Sequence, residues 1–167
     1  MIVTVKAGEV VTVQANEVAE VLEGGHATVL EGGKGVIKAG GRAEVFQGGV
    51  VHVNEGGVAV VNEGGEAIVH NGGTANVCKG GRAYIHECGF AHVNNGGMAH
   101  VNEGGCANVQ HGGEANIYDG GKAVVNEGGE AIVNSGGEAI VYPGGKASGP
   151  GTIIYDDLPT QDLASII

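Results

Sequence analysis

Paired glycines recur every eight residues along most of this chain, and that spacing constrains the fold more than any other feature. From Leu22 the sequence reads LEGGHATV, LEGGKGVI, KAGGRAEV, FQGGVVHV, NEGGVAVV, and continues in eights to YPGGKASG. The consensus is x-x-Gly-Gly-x-Ala-x-Val. Two looser copies, KAGEVVTV and QANEVAEV, precede these, and Val3-Thr4-Val5 matches the end of another. The repeat therefore runs from about Val3 to Gly149.

Glycine makes up 35 of the 167 residues, with only 3 prolines and no tryptophan. Such a composition fits collagen, disorder or a turn-rich repeat. Collagen needs glycine at every third position, and the spacing here is eight. Disorder needs low hydrophobicity, whereas Ala, Val and Ile return at fixed places. A turn-rich repeat is what remains.

Within each octapeptide the small and aliphatic residues alternate with variable ones, as in Ala27-Thr28-Val29 and Ala43-Glu44-Val45. Alternation of period two marks a strand with one buried face. Each Gly-Gly turns the chain, because a tight corner needs positive φ or close backbone approach. The second glycine of the pair is present in every copy from Gly25 to Gly145, and the first is replaced once, by Cys88. The second position is thus the stricter one. Gly8-Glu9 and Asn16-Glu17 depart from the rule, as the terminal repeats of a solenoid do.

A strand this short is unstable alone. Stacked coils let each strand bond to those above and below at about 4.8 Å, with alanine and valine ladders inside. The expected fold is an all-β, single-stranded parallel β-solenoid. Phe46, His70, Asn94, Tyr118 and Tyr142 lie twenty-four apart, as do Glu31, Glu55, Glu103 and Glu127 around Lys79. These columns favour three octapeptides per coil, a three-sided tube, over two. The solenoid is expected over 1–151. Residues 152–167 then supply a last strand, Thr152–Tyr155, and a short helical cap or docking tail, with Leu163, Ile166 and Ile167 at helical spacing and Thr160 as its N-cap.

These repeats, such as Asn54-Glu55-Gly56-Gly57-Val58-Ala59-Val60-Val61, resemble bacterial and phage octapeptide β-solenoids. They are also distantly similar to the Gly-Gly-x-Ala repeats of autotransporter adhesin passengers, whose repeats are longer and richer in threonine. The resemblance implies a fold and no site residues, since fold does not imply function.

Enzymatic signals are weak. No Gly-x-x-x-x-Gly-Lys-Ser/Thr or Gly-x-Ser-x-Gly occurs. Serine appears only at Ser135, Ser148 and Ser165. His86, Cys88 and His92 are close in sequence, but strand, corner and next face should send their side chains apart, whereas zinc needs converging ligands. His52, His92 and His100 suit outward strand positions. The asparagines before the corners, Asn54, Asn62, Asn94, Asn102, Asn126 and Asn134, suit ladders that satisfy turn backbone groups. No cofactor or metal is expected. Cys78, Cys88 and Cys106 make no disulfide framework. The N-terminus has no signal-peptide pattern and the sequence no transmembrane span, so a cytoplasmic bacterial location is expected.

The formal net charge is -11, from 19 acidic and 8 basic side chains. That balance opposes direct binding to nucleic acid and allows attraction to basic surfaces. Acidic residues thicken toward the C-terminal half: Glu103, Glu114, Asp119, Glu127, Glu130, Glu138, Asp156 and Asp157. The expectation is a non-enzymatic acidic rod that binds and blocks a host protein through these residues. It would mimic nucleic acid against a phage-defence nuclease such as a CRISPR effector. The alternative is a structural or adhesive module of a fibre, adhesin or filament, with homo-oligomers forming through the C-terminal tail.

Overall fold

The computed structural model describes residues 2–156. It is all-β: strands of four residues follow one another at eight-residue spacing. They begin with β1 (Ile2–Val5), β2 (Val10–Val13) and β3 (Val18–Val21), reach β18 (Glu138–Val141), and end with the three-residue β19 (Lys146–Ser148) and β20 (Thr152–Tyr155). Odd-numbered strands form one ten-stranded parallel sheet and even-numbered strands the other. Val3 pairs with Ala19, Ala75 with Ala91 and Val101 with Ile117, always sixteen residues on. The chain is a parallel β-solenoid of ten coils with two sheets.

This corrects the expectation of a three-sided coil of twenty-four. Phe46, Asn94 and Tyr142 follow even strands, whereas His70 and Tyr118 follow odd ones, so the proposed column is split between opposite corners. The interior explains the outcome. Ala and Val, with isoleucine at Ile37, Ile85 and Ile117, fill the interior and are almost fully buried, while Val3, Val11, Ala147 and Ile153 pack partly buried at its two ends. Two facing sheets bring such short side chains into contact, whereas a third wall would leave them around a void that no side chain fills. Where the alanine ladder drops to Gly35, its neighbour in the next coil is the larger Val51, whose Cγ1 occupies the space a Cβ on Gly35 would need. Among the described residues, no polar or charged side chain is buried.

The two corner glycines act by different physics. The first has positive φ, +71° at Gly24 and +70° at Gly64, and the substitutes Asn16 and Cys88 adopt the same sign at 67° and 57°. The turn closes from Gly25 N–H to the Leu22 carbonyl at 2.9 Å, with the positive φ at its third position as a type II turn requires. Its second glycine has ordinary φ but lies against the coil before it. A Cβ on Gly25 would stand 2.6 Å from the Val5 carbonyl oxygen. That is why the second position admits no substitute from Gly25 onward.

The register breaks after β19. Gly149-Pro150-Gly151 shortens the corner, and Glu138 pairs with Thr152, fourteen residues on. The Tyr155 hydroxyl then donates to the Ala147 carbonyl of the opposite sheet at 3.3 Å. β20 is thus the last rung of the even-strand sheet. The expected helical cap lies outside the described residues.

Candidate functional site

The acidic residues singled out from sequence do not converge on one surface. Glu114 and Glu130 lie on the outer face of the odd-strand sheet, and Glu138 on that of the even-strand sheet. Glu103 and Asp119 share one corner column, and Glu127 stands on the opposite corner. Asp156 follows β20, and Asp157 lies outside the described residues. Two of the set are already engaged across rungs: Glu138 with Lys122 at 2.9 Å and Glu130 with Lys146 at 3.1 Å. The Glu138 hydrogen bond, then its charge, raises the Lys122 pKa. Arg82–Glu66 at 3.4 Å and Lys38–Glu20 at 3.7 Å complete the ion pairs among the described residues.

The corners differ from the faces. Glu87, Glu103 and Asp119 occupy successive rungs of one ridge, with Glu23 and Glu55 earlier in the same column, and no cation pairs with any of the five within 4 Å among the described residues. Carboxylates about 4.8 Å apart reinforce one another's field in water. Negative potential therefore runs along an edge, while opposite charges offset one another within the faces.

Beside this ridge the register builds a ring ladder that the sequence reading missed. His70 stacks on His86 with ring centroids 4.9 Å apart and on His52 at 6.1 Å. Tyr84 stacks on His100 at 5.0 Å, and His100 on Tyr118 at 6.1 Å, with Nδ1 of His100 3.2 Å from the Tyr118 hydroxyl. Burial lowers the pKa of His86, helped by the His70 charge, and burial likewise lowers that of His100, helped by Arg82. The signal was present as rings sixteen apart, at Tyr84 and His100 and at His70 and His86.

His86, Cys88 and His92 are separated as the strand geometry demands. His86 lies in the ring ladder, Cys88 sits in the corner, and His92 packs edge-on against Phe90 on the other sheet at 4.8 Å. No three His, Cys, Asp or Glu residues converge on a metal position among the described residues. The corner asparagines do serve the backbone: Asn102, Asn126 and Asn134 donate to the carbonyls of Ile85, Val109 and Ile117 in the coil before.

Exposed apolar residues stand at both ends of the described solenoid: Ile2 and Val10 at the first coil, and a larger group around the last coils. Ile132 lies on one face, Ile140 and Ile154 on the other, and Tyr155 at the tip, each at least 40% exposed. Ile132 and Tyr155 border an open groove of about 760 Å³ with Met98 and Lys146. On the opposite face Phe90, Val124, Ile140 and Ile154 border one of about 460 Å³. Both are shallow surface features. Among the described residues no helix is long and apolar enough to cross a membrane.

No protein-family model matches the chain, and no curated protein matches it. Among solved structures it is similar to the TibC-catalyzed hyper-glycosylated TibA55-350 fragment. Identity is 24%, coverage is 93% of this chain and 92% of that one, and the TM-score is 0.32.

Proposed function

We propose that this chain is a non-enzymatic structural or adhesive module, a stiff rod that contacts its target through the flanks of its last coils. The observation that carries this reading is the exposure of Ile132, Ile140, Ile154 and Tyr155 around the last coils, with Ile140 and Ile154 adjacent on one face. Neighbouring apolar side chains left in water, as Ile140 and Ile154 are, mark a contact site. The interior supports the same reading, because every inward side chain is hydrocarbon committed to the tube. The test is retention of protein-coated beads on bacterial and host-cell surfaces. Replacing Ile132, Ile140 and Ile154 by serine should leave the circular dichroism and melting midpoint nearly unchanged and lower retention roughly tenfold, the loss expected from removing over 1 kcal/mol of apolar contact. Undiminished retention of the triple variant would reject the reading.

The unpaired ridge of Glu87, Glu103 and Asp119 favours a second reading, in which the rod inhibits a host protein by occupying a basic groove meant for nucleic acid. In that reading it acts in the bacterial cytoplasm as an anti-CRISPR-like inhibitor of a defence nuclease. Capture from host lysate should then weaken at least tenfold between about 50 and 200 mM salt. Duplex DNA should compete, and Glu87→Gln/Glu103→Gln/Asp119→Asn should abolish capture. Salt-insensitive capture would reject it.

A further inference from the structure

In the octapeptide coils after the first, from Leu22 through Tyr142, the backbone N–H that follows a strand donates to a carbonyl of the coil before. Leu22 N–H bonds the Val5 carbonyl and Leu30 N–H the Val13 carbonyl, both at 2.9 Å. The equivalent donors in the first coil are Lys6 N–H and Gln14 N–H. There the acceptors are side chains: Glu9 Oε2 at 2.7 Å and Glu17 Oε2 at 2.9 Å. Glu9 and Glu17 hold the second corner position, which is glycine in all later repeats through Gly145.

The reason for glycine in those later repeats makes the substitution informative. A Cβ would meet the preceding coil's carbonyl oxygen at 2.6 Å at Gly25 and 2.5 Å at Gly33. The offending atom is backbone, which cannot swing aside. A residue with a Cβ is compatible with this corner only where no coil lies beneath it. Glu9 and Glu17 therefore do two things. Each carboxylate fills a donor that a stacked coil would use, and each Cβ stands where that coil's carbonyl would lie.

We propose that Glu9 and Glu17 are end-stops that close the first coil against addition of another octapeptide coil in register, including the last coil of a second copy. The rest of that edge is adhesive in character. Ile2 and Val10 are each 73% exposed, and Val3 and Val11 are only partly buried against the core. An open strand edge of this kind templates further strands unless something blunts it. Two glutamates at the corners blunt both sheets at once. The inference goes beyond the proposed function and does not depend on what the flanks bind.

The test adds a regular coil, with the sequence of residues 18–33, in front of Ile2 of the full chain. Three backgrounds are compared: native, Glu9→Gly/Glu17→Gly, and Glu9→Gln/Glu17→Gln. Amide hydrogen exchange reads whether the added strands pair. In the glycine background they should exchange roughly 100-fold more slowly than in the native one, the ratio expected when a paired strand opens only rarely. The glutamine background should behave like the native one, because glutamine keeps both the Cβ and an acceptor oxygen. Equal protection in native and glycine backgrounds would overturn the proposal, as would protection in none of the three. Protection in the glutamine background would overturn it too, since charge alone would then be the barrier.

Discussion

The carbonyl oxygen of Val45 lies 2.6 Å from the point a Cβ on Gly65 would occupy, one coil further along the chain. Gly65→Ala should therefore force the two coils apart and cost roughly 3 kcal/mol, in the range of severe packing errors. Gly64→Ala meets a different obstacle. Its φ of +70° is disfavoured for an L residue, but the nearest atom is the flexible Gln47 Cγ at 2.9 Å. That variant should lose only about 1–2 kcal/mol. Urea unfolding of the two variants checks the order, and equal losses would contradict the distinct roles of the paired glycines.

Cys88 is the natural exception at the first corner position, with φ of 57° and an exposed side chain. Cys88→Gly should relieve that conformation and stabilise the protein by about 0.5–1 kcal/mol, after the entropy glycine adds to the unfolded chain. A rise in the urea midpoint with unchanged m-value is the expected result.

Val109 and Asn108 are adjacent but face opposite ways. Val109 is fully buried, while the Asn108 Oδ1 accepts from Gln110 and Asn126 on the outside. Val109→Asp should bury an unpaired carboxyl and cost about 3–5 kcal/mol. Asn108→Asp keeps the acceptors in place and should change stability by less than about 0.5 kcal/mol. Equilibrium unfolding of both distinguishes the faces.

That inside–outside division was legible because alternation of period two needs no knowledge of the coil. Ala27, Val29 and their repeats are buried where the pattern put them. Coil size was harder to read, because eight divides both sixteen and twenty-four. Rings at Phe46, His70, Tyr118 and Tyr142 suggested the longer period, yet His70 stacks on His86 and Tyr118 on His100, so their ring partners lie sixteen or eighteen residues away. Charge held the better signal. Glu66 with Arg82, Lys122 with Glu138 and Glu130 with Lys146 are opposite charges sixteen apart, and all three form ion pairs. At twenty-four, Lys122 would have faced Lys146, whereas Glu114 meets a glutamate at either period, Glu130 at sixteen and Glu138 at twenty-four. The spread of the acidic residues was hidden for a related reason: a count of carboxylates along the chain does not say which of four surfaces each one occupies.

The ring ladder makes stability depend on pH in a definite direction. His86 and His100 both have a pKa lowered on folding, chiefly by burial, with His70 adding to the first and Arg82 to the second. The unfolded chain, with histidines near 6.5, then binds more protons than the folded one between each lowered value and 6.5. Stability rises with pH wherever the unfolded state holds more protons. The contribution is fully present above about pH 7 and is lost as pH falls through 6.5 toward the lowered values. Below them it levels off, since both states are then protonated. Protonating the stacked His70–His86 pair also places like charges on rings 4.9 Å apart. The melting midpoint should therefore fall as pH drops from 7.5 to 5.5, and the fall should be shallower in His86→Gln/His100→Gln. Thr28→Ser, at an outward strand position and without a titratable group, is the control and should leave the slope as it is. An identical slope in the double variant would show that the ladder's protonation is not linked to folding.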